Sequence, residues 1–201
     1  MNKSFIWVIA LLIMMSESHG ATCVVVGGSN QDRESWDNVS DTHQLIVALQ
    51  AVSNTPGMKC RWYSYVDRNT RVADQIANAY SDEPEIDVLV VGTSVEIYEH
   101  EGWRMAHDIA TLYPVVAHTP YIMVTRYPDL SAVTRDNDNL QLDVLIHNAN
   151  VYNSIVSQWP VLFFDYPVYE TFDGLHATNK VNYISAMEIM VQLAIAGFSS
   201  N

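Results

Sequence analysis

Ile86-Asp87-Val88-Leu89-Val90-Val91-Gly92-Thr93-Ser94 is the stretch on which the reading of the fold turns. Val88 to Val91 are all apolar, so a strand built from them has no face to offer water. An antiparallel sheet with one wet face would alternate polar and apolar residues. A parallel sheet covered by helices on both sides accepts an unbroken apolar run. Outward from this stretch the same kind of segment recurs. Strands are predicted over 22–27, 60–66, 86–91, 121–125 and 161–164. Amphipathic helical patterns fall over 42–52, 70–80, 103–112 and 140–158, and a last helix is predicted over 180–196. Strand-helix alternation of this kind predicts an α/β fold, a three-layer doubly wound sandwich around a mostly parallel sheet of about five strands. No internal repeat, low-complexity tract or long linker interrupts it, so residues 21–201 are read as one domain.

Residues 1–20 read as an address. Lys3 precedes an unbroken apolar run from Phe5 to Met15, and Ser18-His19-Gly20 supplies small residues of the kind read by a signal peptidase. The run is shorter than the roughly 20 residues needed to span a bilayer, so a signal peptide cleaved after Gly20 is expected, and a buried N-terminal helix is the alternative. The product would be secreted, or periplasmic in a bacterium. Ten basic against 23 acidic residues give a net charge of −13. That balance repels phosphate backbones and anionic lipid, so neither nucleic acid nor a membrane surface is an expected partner. Export places Cys23 and Cys60, the two cysteines, where disulfides persist. If the strands they open are parallel neighbours, the cysteines lie side by side, and a disulfide there contributes about 2–4 kcal/mol. Two free buried thiols are the alternative. Asn38-Val39-Ser40 is a glycosylation sequon, relevant in a eukaryotic source.

In an open α/β sheet, functional residues collect beyond the carboxyl ends of the strands. The predicted strands deliver Gly27-Gly28-Ser29-Asn30, Asp67-Arg68-Asn69, Gly92-Thr93-Ser94 and Asp165-Tyr166 to that edge, and Asp173-Gly174-Leu175-His176 precedes the last helix. Two glycines after an apolar strand permit a tight turn that lifts Ser29 out of the sheet. Amides at such a turn can stabilise an oxyanion, and a serine becomes a nucleophile when a base adjoins it. The same residues suit a plain turn or a phosphate-binding loop. His176, three residues after Asp173, can receive that carboxylate on Nδ1 and keep Nε2 free as a base. Alternatively Asp173 caps the helix and His176 is simply exposed. The G-x-S-x-G elbow, the P-loop lysine and G-x-G-x-x-G are all absent.

Taken together, Gly27-Gly28-Ser29 on the first strand and Asp173-Gly174-Leu175-His176 before the last helix resemble the SGNH (GDSL-like) hydrolase family. Its nucleophile lies in an N-terminal G-D-S block, and its Asp and His lie in a C-terminal D-x-x-H block. The resemblance implies a flavodoxin-like sandwich and a Ser29-His176-Asp173 triad. It further implies an oxyanion hole built from the Ser29 and Gly92 amides with the Ser94 hydroxyl, and no cofactor or metal. Acyl esters of lipids or acetylated carbohydrates are the implied substrates. The chain departs from the pattern at three places. Gly28 replaces the aspartate of G-D-S, no glycine stands near Asp67-Arg68-Asn69-Thr70, and Ser94 replaces the asparagine of G-x-N-D. One lost oxyanion donor costs about 10²–10³ in rate. Two expectations therefore stand side by side: a secreted serine esterase, and a binding protein that keeps the fold after its oxyanion hole has decayed.

Weaker candidates remain. Glu96, Glu99, His100, Glu101 and His107 are dense in metal-ligating types but match no common spacing, so a helix start or cleft wall is expected there. Asp165 reads as a structural carboxylate, with cleft lining the alternative; His147 reads as packed within an apolar helix, and Trp36, Tyr98 and Trp103 as core, with a sugar- or acyl-contacting wall the alternative.

Overall fold

The computed structural model describes residues 20–28, 44–54, 57–67, 70–92, 102–126, 142–165 and 178–200. Within them strands and helices alternate: β1 (Ala21–Val26), α1 (Leu45–Val52), β2 (Cys60–Ser64), α2 (Val72–Asp82), β3 (Val88–Val91), α3 (Gly102–Val116), β4 (Tyr121–Arg126), α4 (Leu142–Val156), β5 (Leu162–Asp165) and α5 (Asn179–Ile195). The strands form one five-stranded sheet in the order β2-β1-β3-β4-β5, and every pairing is parallel.

The apolar runs behave as a doubly covered sheet requires. Along β1, Cys23 and Val25 face α1 and α5, whereas Val24 and Val26 face the opposite side. Along β3, Val88 and Val90 share the first face, and Leu89 and Val91 the second. On the first side these strands meet Leu45 and Leu49 of α1 and Val181, Ile189 and Leu193 of α5. On the second they meet Ile76 of α2, Met105 of α3 and Tyr152 of α4. All four β3 residues are buried, and burying side chains of this size contributes about 1.5–3 kcal/mol each.

The element ends differ from the predicted ones for identifiable reasons. β2 stops at Ser64, because the Tyr65 amide makes the last bond to β1, on the Val25 carbonyl at 3.0 Å. β3 starts at Val88 because Asp87 is engaged sideways: its carboxylate accepts the Thr22 amide at 2.8 Å, and its own amide donates to the Thr22 carbonyl at 2.9 Å. α3 runs past the expected end at residue 112 and through Pro114, whose missing N–H removes only one helical bond. α5 is apolar on both sides; Ile184, Met187, Val191 and Ile195 form an exposed stripe along its outer face.

Cys23 and Cys60 are joined in a disulfide, with their Cα atoms 5.7 Å apart. The register explains the fit. Cys60 lies opposite Ala21, so Cys23 is its diagonal neighbour on the adjacent strand. Among the described residues no helix is long and apolar enough to cross a membrane.

Candidate active site

The order β2-β1-β3 places a reversal of winding beside β1. The chain leaves β1 toward β2 on one side and crosses back to β3 on the other. Sheets of this type bind their ligands in the crevice at such a point, beyond the carboxyl ends of the strands. Here that location belongs to Gly27 and Gly28.

β1 leaves the ladder abruptly. Its last bond to β3 is made by the Gly92 amide, which donates to the Val26 carbonyl at 2.8 Å. The next residue, Gly27, has φ 143, a conformation that side-chain-bearing residues avoid. Among the described residues no strand pairs with Gly27. The side chain of Gln75, in the first turn of α2, takes the position a strand would occupy. The Gly27 amide donates to Gln75 Oε1 at 2.9 Å, and Gln75 Nε2 donates back to the Gly27 carbonyl at 3.1 Å. The same Nε2 lies 3.0 Å from the Asp67 carbonyl and 2.9 Å from that of Thr70. Gln75 is 1% exposed. The turn it reaches is closed by Asp67 and Thr70: the Thr70 hydroxyl donates to the Asp67 carboxylate at 2.6 Å, and the Thr70 amide to the Asp67 carbonyl at 3.2 Å.

At the other end of the same edge, Arg126 closes β4 and Asp165 closes β5. Their pairing is bidentate, with Nε 2.9 Å from Oδ1 and Nη2 3.1 Å from Oδ2. The guanidinium also lies over the Phe163 ring, 5.4 Å from its centre. Glu188 of α5 joins this group. Burial pushes its carboxyl above the usual range, and the Asp165 backbone N–H that it accepts works against that push. Repulsion from the Asp165 carboxylate adds to it, and Arg126 opposes it. Asp165 is thus the structural carboxylate that the sequence suggested.

Several residues singled out in the sequence lie outside the described residues: Ser29, Ser94, Asp173, His176 and Asn38, together with Trp36, Glu96, Tyr98, Glu99, His100 and Glu101. Gly92 is described, and its amide is already committed to Val26 within the sheet. That amide has one proton, so a part in an oxyanion hole would require sharing it with the Val26 carbonyl. The cap of α5 bears on the other end of the chain. Thr178 is the N-cap, and its hydroxyl accepts the Val181 amide at 3.5 Å. The N-cap of α5 is therefore Thr178. His147 is exposed on α4 rather than packed, because the buried stripe of that helix passes through Asn148, Ala149 and Tyr152 instead. His107 is also exposed, with Nδ1 3.9 Å from Asp108, whose carboxylate pairs with Arg71.

Gln75 escaped the sequence reading, yet it left a signal. Val72, Gln75, Ile76 and Ala79 form the buried stripe of α2 at helical spacing, with one polar residue among apolar ones. A polar side chain in such a stripe must find partners, and here the partners are backbone groups at the end of β1 and in the turn between β2 and α2.

No protein-family model matches the chain, and no curated protein matches its sequence. Solved structures do match. The native aryl esterase of M. smegmatis superimposes with a TM-score of 0.63 at 13% identity, covering 88% of this chain and 100% of that one. A member of the lipolytic G-D-S-L family from Veillonella parvula DSM 2008 gives 0.60 at 10% identity, over 85% of this chain and 98% of that one. The acetylxylan esterase Axe2 of Geobacillus stearothermophilus gives 0.57 at 12%, over 87% and 94%. At such identities the likeness is one of fold: this chain has the α/β sandwich of the SGNH (GDSL-like) hydrolases.

Proposed function

We propose that this chain, built on the SGNH-hydrolase fold, is an exported serine esterase. The observation that carries the reading is the end of β1. An apolar strand stops at the winding reversal in a glycine with φ 143, two residues before Ser29. This is the kind of turn that presents a nucleophile to the crevice. Ser29 attacks the ester carbonyl and its Oγ bonds to the acyl carbon, while His176 takes the hydroxyl proton. The bond from that carbon to the alkoxy oxygen then breaks, and His176 returns the proton to the departing alcohol. Water reverses the sequence and frees the acid. Asp173 orients His176 from the same loop, a role that the Thr178 cap leaves open to it. With the Gly92 amide engaged, the Ser29 amide and the Ser94 hydroxyl are the proposed oxyanion donors. Acyl esters of lipids or acetylated carbohydrates are the proposed substrates, a range that the lipolytic family member and the acetylxylan esterase of the same fold support.

Residues 1–20 are proposed as the export signal and 21–201 as one catalytic domain. β1 begins at Ala21, directly after the proposed cleavage position, and the disulfide suits an oxidising compartment. Asn38 is a proposed glycosylation site in a eukaryotic source.

One observation favours a second reading. The engaged Gly92 amide, beside the missing family glycine and asparagine, suits a binding protein that has kept the hydrolase fold. Hydrolysis of a short-chain aryl ester by the mature protein, beside Ser29→Ala, decides between the two. Turnover that disappears in the variant, with phosphonate labelling of Ser29 in the parent, supports the esterase. No turnover and no labelling in the parent leaves the binding reading.

A further inference from the structure

We infer that Gln75 is a positioning residue for the proposed nucleophile, acting as a detachable rung that holds the Gly27-Gly28 turn in register with the β2–α2 turn. The inference rests on the esterase reading of Ser29 and adds to it a residue with no place in the proposed triad or oxyanion hole.

The chemistry of the side chain carries the argument. A primary amide offers an acceptor on one atom and two protons on another, so it can pair with both the N–H and the C=O of one peptide residue, as a neighbouring strand does. Gln75 does this with Gly27, at 2.9 Å and 3.1 Å. The carbonyls of Asp67 and Thr70 lie 3.0 Å and 2.9 Å from the same Nε2, so its two protons are shared among three acceptors. One side chain thereby ties together the ends of two strands that the ladder itself has released, since the last ladder bonds stop at Val25 and Val26. The clamp is dry, because Gln75 is 1% exposed, so water cannot readily replace a lost bond.

Position matters here more than stability. Gly27 is the residue whose φ of 143 sets the direction in which the chain leaves the sheet. Rotation of that peptide is opposed from one side by the Gly92 bond to Val26 and from the other by Gln75. Without Gln75 the strand below remains paired, while Gly27 loses the side chain that pairs its amide and its carbonyl. A displacement of about 1 Å at a reacting group costs about 10²-fold in rate.

A carboxylate in the same place would have the wrong polarity. It accepts from the Gly27 amide but repels the carbonyls of Gly27, Asp67 and Thr70. Protonation restores a single donor.

The test compares the mature protein with Gln75→Met and Gln75→Glu. Two quantities are read: steady-state hydrolysis of a short-chain aryl ester, and amide hydrogen exchange at Gly27 relative to Leu89 in the neighbouring strand. In Gln75→Met, kcat is expected to fall about 10²-fold with KM changed less than about threefold, while Gly27 exchange accelerates and Leu89 stays protected. If Gln75→Met does not fold, Gln75→Glu takes its place. Its Gly27 exchange, corrected for the intrinsic pH dependence, is expected to slow as the pH is lowered and the carboxyl gains its proton. A folded Gln75→Met with parental kcat overturns the inference, as does Gly27 protection unchanged in either variant. An inactive parent defeats the esterase reading and, with it, the catalytic part of the inference. Exchange at Gly27 then still decides whether the clamp exists.

Discussion

Opening the Cys23–Cys60 disulfide is expected to cost about 4 kcal/mol of folding stability. The bond joins diagonal neighbours on β1 and β2, and in doing so closes a loop across 37 positions of sequence. In the chain-entropy description, that closure removes freedom from the unfolded chain as the logarithm of loop length, which at 37 positions amounts to about 4 kcal/mol at 25 °C. For a domain of this size 1 kcal/mol is about 2–4 °C, so a fall of about 8–16 °C in Tm is expected. Urea unfolding of the oxidised parent, the reduced parent and a Cys23→Ala, Cys60→Ala double variant measures the effect. Reduction keeps both sulfur atoms, so it isolates the crosslink. The double variant adds the loss of packing at Cys23, which is fully buried. The m-value is expected to rise on reduction, because a chain without the loop exposes more surface when it unfolds. A reduced parent within about 1 kcal/mol of the oxidised one would refute the reasoning. The unfolded chain would then have to be held together at that point by something other than the bond.

Two other perturbations address the carboxyl edge. Gly27→Ala puts a Cβ on a residue with φ 143 and is expected to cost about 1–3 kcal/mol in thermal unfolding; an unchanged Tm would show that the turn tolerates a side chain. The Glu188 carboxyl is pushed above its usual range, chiefly by burial, so folding favours its neutral form. The stability it contributes is complete below the ordinary carboxylate range and is lost as pH rises through the raised value. Glu188→Gln, neutral throughout, is accordingly expected to be more stable than the parent at neutral pH, with the difference closing below about pH 4. Urea midpoints across pH measure it, and a parent more stable than the variant at neutral pH would mean that attraction to Arg126 prevails.

The turn at the end of β1 and the disulfide were legible in the sequence. Gly27 and Gly28 after an apolar strand pointed to a turn at the sheet edge, and Gly27 occupies one with φ 143. The pairing of Cys23 with Cys60 followed once two strands were taken as parallel neighbours, and they are. What could not be read was the use of backbone groups. Nothing in Gly92 announces that its amide belongs to Val26, because the bond depends on how far β3 runs alongside β1. Gln75 left a polar residue in an apolar stripe, but Gly27, the residue it pairs on both sides, lies 48 positions away.

Sequence alone therefore determined the kind of element at each place and the two-sided covering of the sheet. Burial acts residue by residue, and the unbroken Val88-Leu89-Val90-Val91 run admits few other surroundings. Tertiary structure alone decided the order β2-β1-β3-β4-β5, the clamp on Gly27, the bidentate Arg126–Asp165 pair and the commitment of the Gly92 amide. The physical reason is one of range. Apolar periodicity is written into neighbouring residues, whereas a hydrogen bond needs its partner at a set distance and angle, and only the assembled sheet supplies those.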